Sequence, residues 1–378
     1  MIELGAIEPF LLRLRHRVLR ALQRPALDLP LLGALLLLAA IGLTTLYSAS
    51  NLDRHLVFNQ GARFVLGGAL MLLIARVPPL TLRNWTPWLY VGSVLLLVAV
   101  ALLGEGRGAH RWLDLGVVRF QPSELLKLTM PMMVAWYLNG RPLPPGWITL
   151  AAVGLLIVIP VGLIAEQPDL GTALLVAAAG GMVILLAGLQ LRYILSVVGL
   201  LIPVAYGAWA FLLHDYQRQR ILTFLDPQSD PLGSGYHIIQ SQIAIGSGGV
   251  FGKGYLNGSQ AQLEFLPERS TDFIFAVVGE EWGLIGLVTV ICLFMFVIGR
   301  ALYLSATAQD TFARLASGSL ALTFCVYVFV NTGMVTGLMP VVGVPLPFIS
   351  YGGTAMVTLM AGFGILMSLC AKRKLVSR

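Results

Sequence analysis

The sequence predicts an all-α integral membrane protein of about ten transmembrane helices, with both termini cytoplasmic and one large external loop between the seventh and eighth. Three observations carry this reading. Of 378 residues, 57% are hydrophobic and 11% are charged, against roughly 25% charged in average soluble domains. Apolar runs of about 20 residues, the length that crosses a bilayer, recur from Leu29 onward. Arginine and lysine crowd the short flanks at both chain ends, which places those ends in the cytoplasm and requires an even number of spans.

In chain order the spans read as Leu29–Ser48, Gly61–Val77, Trp85–Gly104, Pro122–Asn139, Trp147–Ala165, Pro168–Leu189, Leu191–Leu213, Asp272–Leu304, Phe312–Leu338 and Ser350–Cys370. The break Glu166-Gln167-Pro168-Asp169 reads as an external turn rather than a re-entrant kink, because Pro168 lacks a donor and charges flank it. Residues 1–28 form a separate basic segment, amphipathic from Ile7 to Leu22, that lies along the inner leaflet. Residues 29–378 form the polytopic membrane domain. Arg83, Arg141, Arg192, Arg300 and Arg314 fall on the same side as the termini.

The formal net charge is +7, and the excess lies mostly at the ends, beside apolar spans. An anionic membrane surface fits that placement better than nucleic acid. No cleavable leader is legible, since the first apolar run is too long for one. Cys292, Cys325 and Cys370 lie in or beside apolar runs, so no disulfide framework is read. Five scattered histidines without an HExxH pair give a zinc site little support.

The external loop, residues 214–271, is rich in Gly, Gln, Ser and charge. Its interspersed apolar residues argue against disorder. They predict a folded cap on the outer membrane face that partly re-enters it. The glycines of Gly246–Gly249 and Gly252-Lys253-Gly254 depart from the Walker pattern and read as tight turns.

Several external residues could carry chemistry. Arg107, Arg111 and Arg119 stand on the side where arginine is disfavoured. Either they pair locally with Glu105 and Asp114, or they face an anion such as a pyrophosphate. Glu124 and Lys127, at i,i+3, share one face of the fourth span, where an ionisable pair is costly and points to function. Arg218 and Arg220 sit where a helix emerges and could equally snorkel to headgroups. Asp272 stands where polar loop meets apolar helix. It reads either as a helix cap or as a general base at the membrane surface. Glu280 and Glu281 follow on the same helix, about 80° round from Asp272 and opposite it respectively. The three therefore cannot face one cavity, and at least one carboxylate pairs with a neighbouring helix. The Pro- and Gly-rich stretch Asn331–Gly353 should form a rigid wall of an external cavity, since irregular backbone at membrane depth must be covered.

Long strings of this sequence resemble the SEDS family of shape, elongation, division and sporulation proteins. They are TLYSAS (Thr45–Ser50), HRWLDLGVVRFQPSELLK (His110–Lys127), QPDLGTALL (Gln167–Leu175), HDYQRQRILTFLDPQSDPLGSGYHIIQSQIAIGSGG (His214–Gly249), GKGYLNGSQAQLEFLPERSTDFIFAVVGEEWG (Gly252–Gly283) and NTGMVTGLMPVVGVPLPFISYGG (Asn331–Gly353). HDYQRQR and GSQAQLEFLPERSTDFIFAV are the form of the elongation branch rather than the division branch.

The resemblance implies a bacterial inner-membrane peptidoglycan glycosyltransferase that polymerises lipid II and releases undecaprenyl pyrophosphate. Asp272 matches the family's essential external aspartate, its proposed base. Glu124 and Lys127 match its polar pair. Arg111, Gln121, Ser123, Arg218, Arg220, Gln240, Ser241, Lys253 and Ser350 are candidates for substrate contact. The implied partners are a class B penicillin-binding protein and other proteins of the elongation complex. No cofactor is required by the motifs. A divalent cation, Mg or Mn, would suit a pyrophosphate, but no cation-specific cage is legible. Two other classes compete: a flippase for lipid-linked precursors and a non-catalytic scaffold. Charged, irregular sequence gathered at the outer face rather than the midplane favours surface chemistry over transport.

Overall fold

The computed structural model describes residues 27–103, 113–114, 119–167, 169–190, 234–266 and 268–371, with part of the stretch 192–226. The predicted interfacial segment, Arg107, Arg111, Arg220 and the C-terminal basic flank lie outside the described residues. The helices are α1 (Leu29–Ala49), α2 (Arg54–Ala75), α3 (Pro79–Leu103), α4 (Pro122–Leu138), α5 (Trp147–Glu166), α6 (Leu170–Leu186), α7 (Ser234–Gly248), α8 (Ser259–Gln262), α9 (Ile274–Ala306), α10 (Thr311–Val335) and α11 (Thr354–Leu369). A two-residue antiparallel ribbon, Leu113–Asp114 against Arg119–Phe120, precedes α4.

Among the described residues, α1, α2, α3, α5, α9 and α10 are long and apolar enough to cross a membrane, and α6 and α11 are shorter apolar helices. The protein is a helical, multi-pass membrane protein. Two helices start earlier than hydropathy predicts. α2 begins at Arg54, where the Asp53 carboxylate accepts from the His55 and Leu56 amides at 2.8 and 3.4 Å, and α3 begins at Pro79. A cap and an N-terminal proline start a helix whatever its polarity, so the polar first turns escaped a reading based on apolar runs.

Two apolar cores fill the bundle. One joins α1, α2, α9, α10 and α11. The other joins α3, α4, α5 and α6 with parts of α10 and α11. α10 therefore runs along the seam. The turns bearing Arg83, Asp310, Arg300 and Asp28 gather at one end: Arg83 pairs with Asp310 at 3.7 Å and Arg300 with Asp28 at 2.7 Å.

α9 is broken near its start. Gly283 has φ 66° and ψ −160°, a conformation open chiefly to glycine. The break releases backbone groups that must find partners at membrane depth. The glycine-rich turn after α7 supplies them. The amides of Lys253 and Gly254 donate to the carbonyls of Glu280 and Glu281, both at 3.0 Å. The amides of Leu284 and Ile285 donate to the carbonyls of Gly249 and Val250 at 2.9 and 3.2 Å. A side chain at Gly252 or Gly283 would collide with the opposing backbone. The loop between α7 and α9 is thus folded in its described part: Gly249 and Gly252-Lys253-Gly254 form the predicted turns and brace the kink, whereas Gly246–Gly248, also expected as a turn, are the last turn of α7, where Gly248 lets that helix lie against the Gly279 carbonyl.

Candidate active site

Asp272 stands just before α9. The N-cap position belongs to Phe273, so Asp272 lies one residue outside the place the cap reading required. Its half-buried carboxyl group faces a cavity of about 250 Å³. Gln121, Glu124, Lys127, Asp169, Tyr327 and Gly343 also line this cavity.

α4 brings the polar pair in from the side. Gln121 occupies its N-cap position and Pro122 its first turn, which fixes where the helix starts. Glu124 and Lys127 then project one turn apart, with Nζ–Oε1 at 2.6 Å. Both side chains are buried in the protein but border the cavity. The Lys127 ammonium lies 5.3 Å from the centroid of the Tyr327 ring on α10, a cation–π contact strengthened by desolvation. Across the opening, Asp169 caps α6 by accepting from the Thr172 amide at 3.2 Å. Its other oxygen accepts from Gln121 Nε2 at 3.0 Å.

The Asn331–Gly353 stretch forms the opposite wall through Val342–Pro345 and Tyr351–Gly353, as its prolines and glycines predicted. α2 holds that wall: Gln60 Nε2 donates to the Ser350 carbonyl at 3.1 Å, and Arg63 Nη1 to the Gly352 carbonyl at 3.4 Å. The Arg63 guanidinium also stacks 4.5 Å from the Tyr351 ring centroid.

Of the residues predicted from sequence, the cavity gathers Asp272, Glu124, Lys127 and Gln121. It does not gather the rest of the described ones. Ser123 is buried at the start of α4, and Gln240 is half-buried on α7. Ser241 donates to the Ile238 and Val335 carbonyls, both at 2.8 Å, which ties α7 to α10. Lys253 pairs with Glu280 at 2.7 Å. Ser350 is buried and bonded to backbone. Arg218 is half-buried and outside the cavity wall. Glu280 and Glu281 both turn away from the cavity. Glu281 accepts from the Ser48 hydroxyl on α1, so the expectation of a carboxylate paired with a neighbouring helix is met.

Asp169, Tyr327 and Arg63 were not singled out from sequence. Arg63 carried a legible signal, since an arginine inside an apolar run is costly and points to a site. Asp169 reads as a turn residue and Tyr327 as helix filling. Only packing brings them here.

Chemically, the cavity offers a half-buried carboxylate, a buried ammonium held by one carboxylate, and further polar groups on an otherwise apolar wall. It can take a proton from a hydroxyl and stabilise a developing anion. Among the described residues, no cluster of three or more His, Cys, Asp or Glu side chains is placed to hold a metal ion.

Comparison with known proteins gives a consistent picture. The model of the FtsW/RodA/SpoVE cell cycle proteins matches residues 26–375. The peptidoglycan glycosyltransferase MrdB of Escherichia coli K12 is 50% identical over 353 residues, covering 93% of this chain and 95% of that one. The peptidoglycan glycosyltransferase RodA of Treponema pallidum is 30% identical, covering 92% and 98%. A chain from a structure describing coordination of polymerization and crosslinking by a peptidoglycan synthase complex superposes with a TM-score of 0.81 at 35% identity, covering 92% and 98%. The crystal structure of the Rod shape determining protein RodA of Thermus thermophilus superposes with a TM-score of 0.70 at 31% identity, covering 92% and 97%.

Proposed function

The chain belongs to the FtsW/RodA/SpoVE family of cell cycle proteins, and from that membership we infer that it is a peptidoglycan glycosyltransferase of cell elongation. Its substrate is lipid II, its membrane the bacterial inner membrane, and its base Asp272. The observation that carries this reading is the single cavity that holds Asp272 together with the Glu124–Lys127 pair.

The chemistry follows from those groups. The Asp272 carboxylate takes the proton of the acceptor sugar hydroxyl. The hydroxyl oxygen attacks the anomeric carbon of the donor and forms the new glycosidic bond. The bond from that carbon to the phosphate oxygen breaks, and the electron pair leaves with undecaprenyl pyrophosphate. Transfer by direct displacement inverts the anomeric centre and needs one base, not the two flanking carboxyl groups of a hydrolase. Lys127 supplies positive charge toward the departing pyrophosphate. Glu124 holds that ammonium in place rather than acting as a second base, since its oxygen is committed at 2.6 Å. The orientation that suits this substrate puts the cavity on the outer face and both termini in the cytoplasm. A class B penicillin-binding protein is the partner that would cross-link the strands. The synthase complex to which this chain is similar supports that pairing.

The test is glycan product from purified protein supplied with lipid II. Asp272→Asn should fold, since nothing in the helix cap depends on its charge, but polymerise about 10²–10⁴-fold more slowly. A rate near wild type in a folded Asp272→Asn variant would remove Asp272 as the base.

A further inference from the structure

We propose that Asn331 and Ser350 are positioning residues for Asp272, a pair of side-chain clamps that hold the backbone of Thr271–Asp272 so that the carboxylate faces the cavity. The proposal rests on the reading of Asp272 as the base.

Residues Thr271–Phe273 form a turn, not a helix. A carboxylate on such a segment is not oriented by helix geometry, and its precision must come from outside. The structure supplies three tethers within three residues. Asn331 Nδ2 donates to the Asp272 carbonyl at 2.9 Å and also to the Val344 carbonyl at 2.7 Å. The Ser350 hydroxyl donates to the Thr271 carbonyl at 2.5 Å. The Tyr351 amide donates to the Ser270 carbonyl at 2.8 Å. Asn331 thus spends both amide hydrogens joining the catalytic turn to the Val342–Pro345 wall of the cavity.

The clamps are themselves rigid. Asn331 is fully buried on α10 and Ser350 nearly so. Ser350 Oγ also accepts from the Leu346 amide at 2.8 Å, closing a tight turn. That turn contains Phe348 at φ +63°, a left-handed conformation that is costly for a bulky residue and persists only where surroundings over-determine it. Here its buried ring packs between Phe64, Phe324 and Phe363, with centroids at 6.3, 6.2 and 5.8 Å. Gly42 on α1 lies directly against the Phe348 carbonyl, with no room for a side chain. Strain held next to a site is a mark of preorganisation.

Neither residue touches the reacting atoms in this arrangement. Each acts through Asp272, so the effect should fall on turnover rather than on substrate affinity. Three variants separate the cases: Asn331→Leu, Ser350→Ala and Asp272→Asn. Each is purified, its thermal unfolding recorded, and lipid II polymerisation measured against substrate concentration and pH. Folded Asn331→Leu and Ser350→Ala should lose about tenfold or more in kcat, with KM within about threefold of wild type. The acid limb of their pH–rate profiles should move, because the carboxylate sits in a changed environment. Should Asn331→Leu fail to fold, Ser350→Ala decides alone, since it removes a single hydroxyl. Inactive Asp272→Asn beside a folded Ser350→Ala with wild-type kcat and an unmoved acid limb would overturn the positioning role and leave the base intact. Asp272→Asn polymerising near the wild-type rate would instead overturn the base assignment, and the positioning role with it.

Discussion

Two lysine–glutamate pairs in this molecule look alike by distance and differ in what surrounds them. Glu124–Lys127 closes at 2.6 Å and Lys253–Glu280 at 2.7 Å, and both carboxylates are buried. Around Glu280 both oxygens are engaged, Oε1 by three donors and Oε2 by one. Its oxygens accept from Lys253 Nζ, from the Ser259 hydroxyl at 3.2 Å, and from the amides of Gln260 and Ala261 at 2.9 and 3.3 Å. Glu280 therefore caps α8 and pins the loop between α7 and α9 to the kink of α9. Around Lys127 the partners are fewer, one carboxylate and the Tyr327 side chain, and the pair borders the cavity. A buried charge in a membrane protein is expensive wherever it lies. What separates a fastener from a working group is whether its hydrogen-bonding capacity is spent inside the protein or left for a substrate.

Breaking each pair in turn tests that distinction. The largest effect should come from Lys127→Met. On the proposed mechanism, losing this charge should cut lipid II polymerisation by about 10²–10³-fold, while the protein stays folded. A Lys127→Met protein with near-normal turnover would make the two pairs equivalent and remove the comparison. Glu280→Gln should do the opposite. It strips the charge from a carboxylate that holds four donors, and should lower unfolding stability by about 3 kcal/mol, read as a drop in Tm in detergent. Polymerisation per folded molecule should change only a few-fold.

A third pair provides a control at the bundle's end. The Arg300 guanidinium bonds Asp28 through two nitrogens at 3.0 and 2.7 Å and holds its carboxyl below the ordinary carboxylate range. A lowered folded pKa means the stabilisation is present above the unfolded value, about 3.9, and is lost as pH falls through the lowered one. Asp28→Asn keeps the cap on the Leu31 amide but removes the charge. It should cost about 1 kcal/mol at pH 7, and the Tm difference from wild type should shrink toward pH 3. The smallest effect should come from Thr323→Val. The Thr323 hydroxyl is buried with no hydrogen-bond partner among the described residues, beside a small cavity under Lys127. Replacing it with a methyl group of similar shape should leave unfolding stability unchanged or raise it by about 0.5–1 kcal/mol at most, read as an equal or slightly higher Tm.

Most of the scaffold was legible because a bilayer leaves few choices. Backbone groups in hydrocarbon must be satisfied within the segment, so long apolar runs become helices. The runs beginning at Leu29, Pro122 and Trp147 start where the helices do. The Glu124–Lys127 pair was legible too, because charge inside an apolar run stands out and i,i+3 spacing puts both on one face. Asp272 was visible as one carboxylate with two readings, and only the family resemblance weighted them.

Tertiary structure decided the rest. Asp169 and Tyr327 lie in the same cavity as Asp272 although far from it along the chain, and nothing in local periodicity reports such meetings. The same holds for Ser241, Lys253 and Ser350. Each is a polar residue in a suggestive string, and whether it meets substrate or a backbone carbonyl depends on which helix packs beside it. Sequence determined that this chain enters a membrane as helices and which ionisable groups go in with it, because solvation free energy acts on each segment where it stands. Which of those groups share a cavity, and which are spent as fasteners, was decided by contacts between segments distant in sequence, because a hydrogen bond is made only where two groups converge within about 3 Å.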